Sequence, residues 1–129
     1  MSIQHQIDSG IRDGEQIRFL LDETADQPQG VPSGKMITDS EDLSFVYLLE
    51  VEEGYRHLRF TQAVWPLMVD VLKSDIDPEL SWRDEVMSLP GFKDELTMLI
   101  YNIEGNDNYG EAFSSAVEQA FHDILKQVD

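Results

Sequence analysis

Cysteine is absent from the chain. That removes disulfides, thiol catalysis and thiolate metal sites, and it fits a cytoplasmic setting. Basic residues are scarce. Nine Lys and Arg stand against 26 Asp and Glu, for a formal net charge of −17. A nucleic-acid duplex or an anionic membrane surface would repel such a chain, so neither is an expected partner. Long apolar runs are missing too. The best candidates, 45–49 and 97–101, are far too short to span a bilayer. The first seven residues offer no basic stretch ahead of an apolar core, so no secretory signal is expected. The histidines are His5, His57 and His122, and none stands at a metal-ligand spacing such as HExxH. No Gly-x-Ser-x-Gly elbow raises the prior for a nucleophilic serine.

What is present is enough for a folded protein. With 129 residues, 41% of them hydrophobic, the expectation is one domain over 1–129 with a real core. The acids are spread along the chain rather than gathered in a tail, which reads first as a solvated acidic surface. The sharper readings are an acidic face for a basic protein partner, or a mimic of nucleic-acid charge.

Residues 2–8 and 16–23 read as short strands, with turn chemistry at 12–14 between them. The span 25–34 holds two Pro and two Gly and reads as a loop. Residues 43–51 are nearly continuous in apolar side chains, as a buried strand should be. Gly54 breaks the run, and 55–60 alternate, which predicts a hairpin. Thr61 is placed to cap a helix over 62–74, with Pro66 in its first turn and Val64, Leu67, Met68, Val71 and Leu72 on one stripe. Residues 79–89 suggest a further hairpin turning near 83–85. Phe92, Leu96, Leu99, Ile100 and Ile103 mark one amphipathic helix. Phe113, Ala116, Val117, Ala120, Phe121 and Ile124 mark another. The short span between them predicts an antiparallel pair. The fold expected is therefore α+β: a mostly antiparallel sheet of hairpins, one inserted helix, and a C-terminal helix pair over one face. An all-helical fold is the alternative.

The segment 102–110, Asn-Ile-Glu-Gly-Asn-Asp-Asn-Tyr-Gly, packs two Gly and three Asn between those last two helices. Gly and Asn tolerate left-handed backbone, so it reads as a tight, specific turn. In the plain reading Gly105 and Gly110 set the backbone while Asn106 and Asn108 cap helix ends. In the functional reading Asn102, Asn106, Asn108, Tyr109 and Glu111 form a contact surface. Tyr109 either folds back on the core or stands out as an anchor, and folding back is favoured. Trp65 and Trp82 read as core or cover. Oxygen ligands crowd 104–111, but an EF-hand register fails, because Tyr109 falls where Gly is needed and Ser115 where Glu is needed. Glu118 and His122, one turn apart, read as a surface ion pair before a metal site. Ser33, Gly34 and Lys35 lack the first Gly and the final Ser or Thr of a phosphate loop. No catalytic residue, metal ligand or cofactor is assigned.

Four blocks occur in one order: Lys35-Met-Ile-Thr-Asp-Ser40, Phe45-Val-Tyr-Leu-Leu-Glu50, Phe92-x-x-Glu95-Leu96, and Asn102-Ile-x-Gly105-Asn106-x-Asn108-Tyr109-Gly110-Glu111. Trp65 and Leu67 lie between the second and third. Together they resemble the YjbL-like family of small proteins from Bacillus and its relatives, over about 36–121, with the first 30 residues fitting less well. The resemblance implies a cytoplasmic bacterial protein of unknown role and brings no catalytic residues. Ala112-Phe113 departs from a Glu-Met pair of that family, which argues against an essential carboxylate there. The function expected is a non-catalytic interaction or regulatory module using the 102–111 turn and acidic surface. The alternatives are a small enzyme or a ligand- or divalent-cation-binding domain using carboxylates, and an acidic nucleic-acid mimic.

Overall fold

The computed structural model describes residues 4–25 and 27–126, with the backbone alone at Asp107. Residues 2 and 3 of the first expected strand lie outside the described residues, as does Asp26 in the expected loop. The chain opens with one extended segment, β1 (Gln4–Ile7) and β2 (Ser9–Asp13), broken only at Asp8. Next come β3 (Gln16–Leu20), β4 (Val31–Asp39), β5 (Ser44–Val51) and β6 (Gly54–Phe60). After α1 (Trp65–Lys73) the chain forms β7 (Glu79–Trp82) and β8 (Glu85–Ser88). Three helices finish it: α2 (Phe92–Ile103), α3 (Glu111–Ala120) and α4 (His122–Leu125).

The class is α+β, as expected, and the all-helical alternative falls. The strands make two mixed sheets rather than one antiparallel sheet. Their orders are β1-β6-β5-β4 and β2-β3-β7-β8. Each has one parallel pair, β1 with β6 and β3 with β7. The first expected hairpin is corrected accordingly. β3 takes β2 as its antiparallel partner, while β1 crosses to the other sheet and lies beside β6 with Gln4 opposite His57.

Sequence explains the elements locally. β5 is buried along most of its length, with Phe45, Tyr47 and Leu49 on the core side. The hairpin to β6 turns where Gly54 takes φ 135°, a conformation side chains resist. The loop expected over 25–34 ends early, because β4 begins at Val31. Its ladder is interrupted between Pro32 and Met36, and Gly34 at φ 75° sits inside that irregularity. Pro and Gly here mark an edge strand with a bulge, not a loop. A single 3-10 turn at Gln62–Val64 precedes α1, and Thr61 does not cap it. The Thr61 hydroxyl donates instead to Asp8 Oδ1 at 2.8 Å, tying the helix entrance to the β1–β2 break.

The start of α2 shows the same remote logic. Gly91 occupies the capping position but has no side chain. Asp77, just after α1, accepts from the Gly91 amide at 3.3 Å and the Lys93 amide at 3.0 Å. A carboxylate at a helix N-terminus satisfies orphan donors and meets the positive end of the dipole. The expected C-terminal helix is interrupted at Phe121, which divides it into α3 and α4.

The core is aromatic. The Phe45 ring lies 5.3 Å from Trp65 and 5.8 Å from both Phe113 and Phe121, joining β5 to α1 and α3. Phe19 of the second sheet meets Phe60 of the first edge-on at 4.9 Å and Phe92 of α2 at 5.7 Å. Both sheets thus share one apolar interior with the helices. No helix among the described residues is long and apolar enough to cross a membrane.

Candidate interaction site at the helix turn

The α2–α3 turn is built around Asn106. Its amide donates to Ile103 O at 3.0 Å, and its side-chain Nδ2 donates to Asn102 O at 3.2 Å. Its Oδ1 accepts from the Asn108 amide at 3.0 Å, closing a local side-chain turn. Its carbonyl accepts from Ser114 Oγ at 3.0 Å, reaching into α3. Glu118 of α3 accepts from the Gly105 amide at 3.0 Å. The backbone turns left-handed at Gly105, φ 68°, and Gly110 takes φ 86°.

The five residues singled out in the sequence therefore divide. Asn106 acts inside the turn. Tyr109 folds back, half-buried, with its ring 6.2 Å from Phe113. Asn102, Asn108 and Glu111 are exposed. The expected capping is half corrected: Asn106 closes the end of α2, but α3 starts at Gly110 without a side-chain cap. The expected Glu118–His122 ion pair is absent among the described residues, because the Glu118 carboxylate serves the Gly105 amide.

A second polar cluster was not legible in the sequence. Arg59 on β6 is buried, and its Nη1 donates to Asp39 at 2.6 Å, Ser44 Oγ at 2.9 Å and Asp42 at 3.2 Å. Arg59, Asp39 and Asp42 line a shallow cleft together with Gln6. The Arg59 hydrogen bond holds the Asp39 carboxyl below its usual range, outweighing the opposing effect of burial. Alternation in β6 puts Arg59 on the face opposite Leu58 and Phe60, but nothing local names its partners. Among the described residues Asp22 is the other carboxylate displaced from its ordinary range, and it is also lowered, by the Thr24 amide and hydroxyl. Neither resembles a carboxylic acid kept protonated for proton transfer.

Asp39 gives a pH prediction. Its folded pKa lies below its unfolded value, so its pairing stabilises the fold above about pH 4 and is lost as pH falls through the folded value. Asp39→Asn should be less stable than the parent at pH 7, and the gap should be smaller at pH 3. Urea unfolding at both values checks this; a constant gap at both would contradict it.

Tyr47 is displaced too, raised by burial. Its hydroxyl donates to Pro90 O at 2.6 Å and accepts from the Gly34 amide at 3.1 Å. That link places Ser33, Gly34 and Lys35 in the β4 bulge beside the start of α2, not on a strand-to-helix phosphate loop. Among the described residues no three His, Asp or Glu side chains converge as metal ligands.

Fold and turn together define a small α+β protein, two mixed sheets under a helical layer closed by an Asn-centred helix turn. The chain belongs to UPF0738, a family of unknown function, whose profile matches residues 5–121. That match takes in the N-terminal strands as well as the blocks from residue 35 onward. A UPF0738 protein of Lysinibacillus sphaericus (strain C3-41) is 44% identical over 113 residues, 88% of this chain and 89% of that one. UPF0738 protein YjbL of Bacillus subtilis (strain 168) is 31% identical over 107 residues, 83% of this chain and 88% of its own. A UPF0738 protein of Bacillus thuringiensis (strain Al Hakam) is 37% identical over 86 residues, 67% and 70% of the two chains. No solved structure matches the chain.

Proposed function

We propose that this protein is a cytoplasmic, non-catalytic interaction or regulatory module that meets a basic protein partner through the 102–111 turn. The observation that carries this reading is the division of labour among the asparagines. Asn106 spends its side chain fixing the loop, while Asn102, Asn108 and Glu111 stay exposed on it. A loop ordered before binding loses little entropy on contact. Charge supports the choice of partner. Residues 94–125 hold seven Asp and Glu and no Lys or Arg. Such a field steers a basic surface toward the turn and repels nucleic acid and anionic membranes.

The test is capture from a bacterial lysate at low and high salt, with Asn108→Lys and Glu111→Lys beside the parent. Both positions are exposed, so the variants should keep the parent's circular dichroism, whereas cutting back half-buried Tyr109 would disturb packing. A partner held by the parent and lost from both variants supports the proposal. Equal capture by all three removes the turn as the contact site.

A further inference from the structure

The second sheet runs β2-β3-β7-β8, which leaves β8 as an outer edge. In an antiparallel ladder alternate residues turn their N–H and C=O away from the partner strand. Among the described residues the β8 backbone bonds to β7 and to nothing else. Soluble proteins blunt such edges with Pro, Lys, bulges or a covering element. β4, an edge of the first sheet, is protected in this way: it holds Pro32 and a bulge, and its Met36 amide donates to Glu95 of α2 at 3.1 Å. β8 has no Pro, no Lys and an unbroken register with β7. A cleft of about 340 Å³ opens beside it. Register puts Met87 opposite Leu80 and Glu85 opposite Trp82, so these four share one face of the hairpin. All four line the cleft, and Pro28 forms part of its wall. Trp82 and Met87 are only partly buried against the core. Val86, on the opposite face of β8, is 53% exposed.

We infer that β8 accepts an extended segment of a different protein as an added strand, one that carries an apolar residue and, two positions away, a Lys or Arg. The open backbone edge supplies the hydrogen bonds and the cleft supplies the selectivity. An added strand continues the alternation of the sheet, so the residue beside Met87 and the one beside Glu85 both fall on the cleft face. The first is apolar because Met87, Trp82 and Pro28 surround its place. The second is basic because Glu85 has no cationic partner among the described residues; its Oε2 accepts from the neutral Gln27 side-chain amide at 2.9 Å. Exposed Asp84 stands next to it. Arg83 is committed elsewhere. Its guanidinium lies 4.6 Å from the Trp82 ring and donates twice to Glu23 O, outside the cleft lining. A second copy would set β8 against β8 and bring Asp84 and Glu85 to an edge bearing the same acids, at a net charge of −17 on each chain. No lining residue belongs to the 102–111 turn, so this edge is separate from the surface proposed above.

The test titrates the full chain, by fluorescence anisotropy, into labelled Thr-rich peptides of about eight residues. Two positions one residue apart carry Leu or Phe with Lys, Arg, Thr or Glu, in either order. Peptides pairing an apolar residue with Lys or Arg should bind, and Glu in place of the cation should weaken them about tenfold or more. Glu85→Gln, which keeps an acceptor for Gln27, should cost the basic peptides about fivefold and leave the Thr peptides unchanged. N-methylation of alternate amides removes the donors from one edge of a peptide. Methylating one alternate set should abolish binding and methylating the other should leave it, whereas a peptide drawn by net charge alone would ignore both. This comparison uses the parent protein, so no variant needs to fold. Asn108→Lys and Glu111→Lys should bind the peptides as the parent does, which keeps the outcome independent of the turn. No binding by any peptide at about 1 mM overturns the inference. Equal effects of the two methylated sets, or equal binding of Glu and Lys peptides, overturn it as well. A parent that sediments as a dimer and is dissociated by peptide would name a second copy as the occupant, and overturns it too.

Discussion

Phe45→Ala should lower the stability of this protein by about 3–5 kcal/mol, the range for removing a fully buried aromatic ring from a core. Phe45 is 0% exposed, and the rings of Trp65 on α1, Phe113 on α3 and Phe121 at the α3–α4 break stand within 5.8 Å of its own. Those neighbours are themselves held: the Trp65 indole N–H donates to Phe60 O at 3.3 Å, so the ring cannot swing freely into the space left. The cavity should stay largely open, and its cost adds to the lost transfer energy. Because domains of this size carry only about 5–15 kcal/mol in total, the loss takes a large share of the stability. Urea unfolding measures the loss, and a value below about 1 kcal/mol would mean that the cluster repacks around a smaller side chain.

Gly91→Ala should cost about 2–4 kcal/mol without touching the apolar core. Gly91 has φ 75°, where a Cβ is strained by about 1–2 kcal/mol. The new methyl would also lie 3.0 Å from Gly34 O and 3.1 Å from Gly34 Cα. Those are backbone atoms inside the β4 bulge, which Tyr47 and Pro90 already pin in place, so neither can give way cheaply. Gly105→Ala is the proper comparison. Its φ is 68°, but an added Cβ meets no atom within 4 Å among the described residues. It should show the strain alone, about 1–2 kcal/mol. If the two variants unfold at the same urea concentration, the close approach of residues 34 and 91 contributes nothing.

What the sequence announced and what it hid divide along a physical line. The stripes of α2 and α3 and the apolar run of β5 were legible, because helical and buried-strand patterns repeat within a few residues. β4 was hidden because its bulge breaks the alternation that would reveal it, and Pro32 and Gly34 imitate a loop. The pairing of β1 with β6 leaves no local trace at all: Gln4 and His57 carry no mutual signature, and a parallel pair has no hairpin to advertise it. The same distinction governs the polar groups. Asn106 announced itself through a Gly/Asn-rich turn whose bonds close within a few residues. Arg59 finds its carboxylates 17 and 20 residues away. Asp77 caps a helix that starts 15 residues later, and no capping motif written at the helix entrance could point to it.

The break at Asp8 bears on how this chain is made. The segment from Gln4 to Asp13 leaves the ribosome well before β6, so β1 has no place to lie until β6 has been synthesised. β3, with β2 at its side, must likewise wait for β7. Early folding is therefore confined to local hairpins, and the native arrangement closes only once the chain beyond Trp82 is available. When it closes, a single strip of ten residues serves as the border of both sheets, anchored at its midpoint by Thr61. Peeling that strip away would open an edge of both sheets in one motion, so a segment made before its partners becomes the seam that finishes the fold.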